Sequence, residues 1–210
     1  MTLRFGLLVF PNVQLLDLAG PYDAFSAVPG AEVHVVGRTL ERVPCSNGLM
    51  FQPATTYGTC PQLDVLCVPG GGGVNALLQD EEVLGFIRTQ AEGAHYVTSV
   101  CTGSLLLGAA GLLEGKRATS HWNALDFLTH FGATAVEERV VQDGKLITAG
   151  GVTSGIDFGL TVIGELMGQT EAETVQLSLE YAPAPPFHSG TPAEASPEVL
   201  AAARQRLLPS

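Results

Sequence analysis

Charge, and positive charge in particular, is scarce in this sequence. Charged residues make up 15% of the 210 residues, and 21 acidic side chains outnumber 10 basic ones, which gives a formal net charge of −11. Because a phosphate backbone is attracted by basic surfaces, we expect no nucleic acid partner. Hydrophobic residues make up 46% of the chain, a composition typical of a compact domain and not of a disordered one.

Long hydrophobic runs, a secretory signal and paired cysteines are also missing. The apolar run from Phe5 to Phe10 ends at Pro11 and is far shorter than the roughly 20 residues of a membrane-spanning helix. We therefore expect no membrane association, no metal site, and reduced thiols in a cytoplasmic protein. The four cysteines have neither a C-x-x-C pairing nor a metal-type Cys/His spacing: Cys45, Cys60, Cys67 and Cys101.

Short apolar runs alternate with helical patterns along the chain. Such alternation is typical of βαβ units, and strands that are apolar throughout are typical of a sheet covered on both faces. The sequence therefore predicts an α/β fold with a mostly parallel sheet. The strand-like runs and the helical patterns that follow them are 3–10 with 17–27, 63–68 with 74–91, and 96–100 with 102–113, and a further run lies at 32–36.

The rest of the chain fits a single domain over 1–210, since no repeat and no long linker divides it. A proline-rich segment predicts an extended arm over 182–192, because proline lacks a backbone donor and biases the preceding residue towards extended conformations. The other predicted elements are a short hairpin or edge strand at 43–51, a β-hairpin of 134–141 with 145–148, and helices at 153–167, 171–181 and 197–208.

Cys101 stands where an apolar strand-like run stops and the small residues Thr102, Gly103 and Ser104 follow. This pattern predicts a nucleophile elbow, a sharp turn from strand to helix that exposes its central side chain above the sheet. We expect the N-terminus of the following helix to lower the pKa of the thiol and to favour the reactive thiolate. The alternative is a buried cysteine that acts as a small core hydrophobe.

Asp17 and a glycine run follow two other predicted strands. Asp17 lies among leucines, so burial should favour its protonated form and suit it to proton transfer near neutral pH. It could also be the N-cap of the following helix. The run Gly70–Gly73 offers backbone amides for an anion, with Gly71 and Gly72 as candidate donors. It lacks the residues of a phosphate-binding loop, and glycines also make tight turns.

Two further residues are candidates for the same site. Thr102 could donate its backbone N–H and its hydroxyl to the reacting groups, or could cap the helix that follows. His121 is the obvious base for a Cys–His pair, although a lone histidine is more often a packed or surface residue. Because ligands collect beyond the carboxyl ends of parallel strands, we expect these groups to share one crevice.

Several segments together resemble the ThiJ/PfpI superfamily, and within it the branch that hydrates isocyanides, over nearly the full length. The elbow and the glycine loop are common to the superfamily. Asp17 and Thr102 are more specific, since many relatives carry glutamate at the first position and other branches carry histidine at the second. The segments that carry the resemblance are 10–23, 68–73, 99–104, 118–122, 149–157 and 180–187.

The resemblance implies a flavodoxin-like sandwich, of the class I glutamine amidotransferase type, that forms a homodimer. It implies Cys101 as the nucleophile, Asp17 as its acid/base partner and Thr102 as an assisting residue. Gly150 and Val152, at a second strand-to-helix turn, are implied as backbone contacts. The implied activity is hydration of an isocyanide to an N-substituted formamide through a thioimidate, with no metal or organic cofactor and with only the isocyanide and water as small-molecule partners.

Two other functions remain open at this point. In a glyoxalase-like relative Cys101 would act on reactive carbonyls, and in an oxidative-stress protein it would be oxidised to sulfenic or sulfinic acid. Regulators of the AraC type share the glycine loop and the elbow but continue into a DNA-binding region. Because this chain ends at Ser210 and is acidic, we expect no such DNA-binding function.

Overall fold

The protein is described by a computed structural model that covers residues 2–207. The chain divides into two compact units, Met1–Leu179 and Glu180–Ser210, so the expectation of one domain over 1–210 stays a prediction. In the second unit the only regular element among the described residues is an α-helix, Pro197–Arg206, which Ser196 caps by accepting a hydrogen bond from the backbone N–H of Val199. The predicted helix over 197–208 extends to Leu208, which lies outside the described residues.

The first unit is built on a seven-stranded sheet with the order β10-β11-β7-β6-β1-β2-β5. All neighbouring strands are parallel except β10, which runs antiparallel to β11. Two small sheets pair β3 with β4 and β8 with β9. The strands are β1 Arg4–Leu8, β2 Glu32–Gly37, β3 Val43–Pro44, β4 Met50–Phe51, β5 Thr55–Thr56, β6 Val65–Val68, β7 Tyr96–Val100, β8 Arg117–Ala118, β9 Thr134–Ala135, β10 Val140–Asp143 and β11 Leu146–Ala149.

Helices accompany the sheet and bury its apolar strands. The central strands β6 and β7 are almost entirely buried, as expected for a parallel sheet covered on both faces. The α/β fold and the mostly parallel sheet are therefore confirmed. The α-helices of the first unit are α1 Leu15–Ser26, α2 Val74–Leu77, α3 Glu81–Gly93, α4 Gly103–Ala109, α5 Ser154–Met167 and α6 Gln169–Ser178, and a 3-10 helix spans Leu125–Phe131; the helix Pro197–Arg206 of the second unit is α7.

Local sequence signals explain where the structure differs from the predicted elements. The predicted helix over 74–91 is two helices, α2 and α3, because Asp80 caps α3 by accepting hydrogen bonds from the backbone N–H groups of Glu82 and Val83. The predicted helix over 102–113 ends at Ala109. The hairpin over 43–51 and the antiparallel pair β10–β11 around Gly144 are confirmed, although residues 134–135 pair with β8 and not with β11.

Candidate active site

Cys101 is the residue at which strand β7 turns into helix α4. Its φ of 56° lies in the left-handed region, which a non-glycine residue adopts only when its surroundings hold it there. Its backbone N–H donates to the carbonyl oxygen of Ala149, at the end of the neighbouring strand β11, at 2.9 Å. The side chain is 6% exposed, so the thiol lies in a nearly closed site.

Asp17 lies in the first turn of α1 and is fully buried. Its Oδ2 accepts a hydrogen bond from the backbone N–H of Gly70 at 2.9 Å. The Cys101 thiol is within hydrogen-bonding range of the same carboxyl, while Oδ1 has no well-aligned partner among the described residues. The interpretation of Asp17 as an N-cap is wrong, because α1 begins at Leu15 and Gln14 occupies that position.

Burial determines the pKa of both acidic groups. It raises the pKa of Asp17 to about 7, against the smaller opposing effects of its hydrogen bonds to Gly70 and Cys101, which confirms the direction expected from its leucine neighbours. Burial, together with the charge of Asp17, also raises the pKa of the Cys101 thiol well above its ordinary value. The expected thiolate is therefore wrong for the resting protein. Helix α4, whose N-terminus was expected to stabilise the thiolate, has only seven residues, and the buried Asp17 carboxyl lies beside the sulfur.

Thr102 connects the sulfur to the glycine loop. Both its backbone N–H and its side chain lie within hydrogen-bonding range of the Cys101 sulfur and so oppose the rise in the thiol pKa. Its Oγ1 accepts a hydrogen bond from the backbone N–H of Gly71 at 3.1 Å. Thr102 occupies the N-cap position of α4, but its side chain makes no capping hydrogen bond. The structure thus brings Thr102 to the reacting sulfur.

Two backbone amides of the glycine loop bind side chains of the site. The Gly70 N–H is used by Asp17 and the Gly71 N–H by Thr102. A Cβ on Gly70 would lie 2.6 Å from both the backbone nitrogen and Oγ1 of Thr102, so no side chain fits there. Gly72 is exposed and lines a cavity of about 400 Å³ whose described lining does not include Cys101. Sequence reasoning did not single out Gly70, although it is the first glycine after a buried strand.

The second predicted turn lies beside the elbow. The Gly150 N–H donates to the carbonyl oxygen of Arg139 at 2.9 Å, so this amide is already paired. Val152 is half-buried and packs against the core. Because Ala149 accepts the hydrogen bond of the Cys101 N–H, the end of β11 and the residues after it border the elbow.

His121 is half-buried, and burial lowers its pKa, so its ring is neutral at pH 7. Its Nδ1 accepts a hydrogen bond from the backbone N–H of Asn123 at 3.3 Å, and no contact between His121 and Cys101 is described. The residue before it does reach the elbow: Ser120 Oγ donates to the carbonyl oxygen of Cys101 at 3.1 Å. Asp17 and not His121 is therefore the titratable side chain beside the sulfur, and sequence reasoning missed Ser120.

None of the helices within residues 2–207 has the length and apolar character that a membrane crossing needs. In the same part of the chain, no group of three or more histidine, cysteine, aspartate or glutamate side chains is arranged to hold a metal ion. All four cysteines are free thiols.

A flavodoxin-like α/β sheet with a cysteine at a left-handed elbow and a buried carboxyl beside it defines a class of cysteine-dependent α/β proteins. The chain belongs to the DJ-1/PfpI family, whose sequence profile matches residues 4–165. The predicted membership of the ThiJ/PfpI superfamily is thereby confirmed.

Individual relatives cover most or all of the chain. It is 57% identical over 210 residues to the isonitrile hydratase of Pseudomonas putida, in an alignment that covers 100% of this chain and 92% of that protein. The crystal structure of a ThiJ/PfpI family protein from Pseudomonas syringae has a TM-score of 0.96 at 44% identity and covers 99% of this chain and 86% of that one. Drosophila melanogaster DJ-1beta has a TM-score of 0.79 at 26% identity, over 87% and 100% of the two chains.

Proposed function

We propose that this protein is an isonitrile hydratase, an enzyme that adds water to an isocyanide and releases an N-substituted formamide. The observation that carries the proposal is the 57% identity to the Pseudomonas putida isonitrile hydratase over the whole of this chain. The buried contact between the Asp17 carboxyl and the Cys101 thiol supports it, because hydration of R–N≡C needs a nucleophile for the terminal carbon and a proton source beside it.

The first step joins Cys101 to the terminal carbon of the isocyanide. The raised pKa of the thiol means that Asp17, as a carboxylate, accepts the thiol proton while the sulfur attacks. Asp17 then delivers the same proton to that carbon. The product is a covalent thioimidate, S–CH=N–R, and Asp17 is left ionised. One proton has moved from sulfur to carbon, and the step is neither an oxidation nor a reduction.

The second step hydrolyses the thioimidate. Ionised Asp17 takes a proton from water as the oxygen adds to the former isocyanide carbon, and passes that proton to the nitrogen. The tetrahedral species S–CH(OH)–NH–R then collapses: the hydroxyl proton goes to Asp17, the carbon–sulfur bond breaks, and the formamide leaves. The proton on Asp17 returns to the sulfur. A pKa of about 7 lets the carboxyl both hold and release this proton near neutral pH.

The other candidate site residues have supporting roles in this proposal. Thr102 hydrogen-bonds the sulfur while it carries charge, and Gly71 fixes the Thr102 hydroxyl. Gly150 and Val152, which border the elbow, serve as backbone contacts in this proposal, and Gly72 and His121 contribute to substrate binding. The reaction moves only protons and electron pairs that these side chains and water supply, so we propose that it needs no metal or organic cofactor.

We further propose that the enzyme is a homodimer of the cytoplasm that binds no nucleic acid. Large exposed hydrophobic side chains on α1 and on the β3–β4 hairpin support the dimer, because such surfaces are commonly covered by a partner. Four free thiols support a reducing compartment, and the net charge of −11 argues against binding to a phosphate backbone.

Steady-state hydration of an aryl isocyanide tests the proposed activity. We expect Cys101→Ala to lose all measurable turnover, and Cys101→Ser and Asp17→Asn to lose at least about a thousandfold in kcat, because nucleophile and acid/base group act as a unit. Cys60→Ala, which removes a half-buried thiol that has no role in the mechanism, is the matched control and should keep wild-type kcat. Undiminished turnover by Cys101→Ala would exclude the covalent mechanism.

Two further measurements distinguish the proposed isonitrile hydratase from a glyoxalase. Rapid-quench mass spectrometry of the wild type should show an adduct with the mass of the isocyanide on the peptide that contains Cys101. Methylglyoxal offered to the same preparation should not be converted. Formation of a hydroxy acid without isocyanide turnover would assign the protein to the glyoxalases instead.

A further inference from the structure

The carbonyl oxygen of Cys101 accepts hydrogen bonds from two buried hydroxyl groups. Ser104 Oγ donates to it at 3.2 Å and Ser120 Oγ at 3.1 Å, and the two serines are 0% and 3% exposed. Neither serine touches the sulfur or Asp17 in any described contact. Two protein hydroxyls on one carbonyl, inside a nearly closed site, indicate that the orientation of this peptide group is specified by the fold.

The two serine hydroxyls come from different segments of the chain. Ser104 belongs to the first turn of α4, so its hydrogen bond to Cys101 is a local one that serines commonly make at the start of a helix. Ser120 comes from the segment between β8 and the 3-10 helix. That segment is itself fixed, because the backbone N–H of Thr119 donates to Oγ1 of Thr148, on β11, at 2.9 Å. Ser120 therefore ties the elbow to a part of the fold that does not depend on α4.

The peptide group that Ser120 holds also carries the N–H that contacts the sulfur. The C=O of Cys101 and the N–H of Thr102 belong to one planar peptide unit and point in opposite directions. Rotation of this plane away from Ser120 would turn the Thr102 N–H away from the Cys101 sulfur, which lies within its hydrogen-bonding range. The left-handed φ of Cys101 is a conformation that an L-residue tends to leave unless both flanking peptide groups are held.

We propose that Ser120 is a positioning residue, whose hydroxyl fixes the Cys101–Thr102 peptide plane so that the Thr102 N–H hydrogen-bonds the Cys101 sulfur. This inference rests on the proposed role of Cys101 as the nucleophile of isocyanide hydration. Ser120 acts only through the peptide group and contacts no substrate, so its effect belongs to the chemical step and not to substrate binding.

Three serine variants and one control test the inference. Ser120→Ala removes the tertiary hydrogen bond, Ser120→Thr keeps the hydroxyl, and Ser104→Ala removes the local hydrogen bond. Ser99→Ala is the matched control, because Ser99 is a fully buried serine close in sequence, and its hydroxyl has no hydrogen-bond partner in the described structure. For each protein we would measure kcat and KM with an aryl isocyanide, and the second-order rate constant for alkylation of Cys101 by iodoacetamide.

We expect Ser120→Ala to lower kcat about tenfold with KM within roughly twofold of wild type, and Ser120→Thr to restore most of the loss. The alkylation rate constant should fall severalfold in Ser120→Ala, because the sulfur loses a donor that stabilises its charged form. Ser99→Ala should match the wild type in all three quantities. A purely structural role for Ser120 would lower the thermal midpoint without this separation of kcat from KM.

The outcomes distinguish this inference from the proposed function. Wild-type protein that hydrates no isocyanide would overturn the function, while slower alkylation of Ser120→Ala than of Ser99→Ala would still support the positioning role. Equal kcat and equal alkylation in Ser120→Ala and Ser99→Ala would overturn the positioning role. If Ser120→Ala does not fold, Ser120→Cys decides, since it keeps a side chain of similar size but replaces the hydroxyl with a weak donor: a lower kcat at constant KM supports the inference, and wild-type values overturn it.

Discussion

Asp17 is a buried carboxyl whose neighbours are a thiol and a backbone amide and not a cation. Such surroundings favour the neutral acid, since burial in an apolar site penalises the charged form. The pKa of about 7 therefore affects the stability of the fold as well as the chemistry, because the folded protein binds a proton that the unfolded chain would already have released.

The pH dependence of stability should reveal this proton. An aspartate with a folded-state pKa of about 7 against an ordinary pKa of 3.8 contributes stability that is fully present below the unfolded pKa and is lost as pH rises to the folded pKa. Between pH 4 and 8 the free energy of unfolding should fall by on the order of 4 kcal/mol from this group alone. In Asp17→Asn this contribution disappears, so the variant should gain stability relative to wild type as pH rises.

Urea unfolding at several pH values measures the effect. The control is Asp23→Asn, which removes an exposed carboxyl from the same helix α1. A difference in unfolding free energy between Asp17→Asn and wild type that stays constant from pH 4 to 8 would contradict the raised pKa of Asp17.

At the scale of elements, the site forms where α1, the loop after β6 and the start of α4 converge. The helix α1 supplies the Asp17 carboxyl, the loop supplies the Gly70 and Gly71 amides, and the start of α4 supplies the Thr102 hydroxyl. The hydrogen bonds from Gly70 to Asp17 and from Gly71 to Thr102 join the three elements. A disturbance of the loop should therefore displace both side chains that contact the sulfur.

Gly70→Ala tests this dependence. The added methyl group would lie 2.6 Å from Thr102 backbone and side-chain atoms and 3.1 Å from Asp17 Oδ2, so the loop must move. We expect a loss of about 1–3 kcal/mol in unfolding free energy, typical of overpacking, and a fall in kcat/KM of at least tenfold, roughly the effect of one lost hydrogen bond near a reacting group. Gly58→Ala, at a site with open space around the added Cβ, should change neither quantity. Wild-type kcat/KM in Gly70→Ala would contradict the proposed coupling.

At the scale of the whole molecule, part of the surface of the first unit is apolar. Leu16 on α1, and Leu49 and Met50 on the β3–β4 hairpin, are 38%, 57% and 53% exposed. The hairpin is tied to the segment before α1 by a hydrogen bond from Ser46 Oγ to Gln14 Oε1 at 2.9 Å, so these side chains belong to one region. We infer that a second copy of the chain covers this region in the proposed homodimer.

Light scattering coupled to size exclusion measures the assembly. The wild type should have a mass near twice the 21.9 kDa of one chain, and the double variant Leu49→Glu/Met50→Glu should shift towards the monomer, because it would bury unpaired charge in an apolar interface. Leu177→Glu places the same charge at an 80% exposed leucine on α6 and should remain dimeric. If Leu177→Glu dissociates the dimer and Leu49→Glu/Met50→Glu does not, the proposed interface is wrong and the dimer forms through the face that contains Leu177.

The sequence by itself determined the fold class, and it supplied the candidates for the reacting groups. Alternation of apolar runs with helical patterns depends only on the local chain, and it correctly predicted a mostly parallel sheet. The elbow was predicted because the strand, Cys101 and the small residues after it are neighbours in sequence. The upward shift of the Asp17 pKa was predicted for the same reason, since the leucines on either side of it already indicate burial.

Only the tertiary structure decided which groups meet at the sulfur. A pKa depends on every neighbour brought close by folding, and Asp17 and Cys101 are far apart in sequence, so the raised thiol pKa could not be read from the residues around the elbow. The closeness of Asp17 to the Cys101 sulfur, the hydrogen bond from Gly70 to Asp17 and the hydrogen bond from Ser120 to Cys101 are contacts between distant segments. They exist because parallel strands end at one edge of the sheet and place their loops side by side.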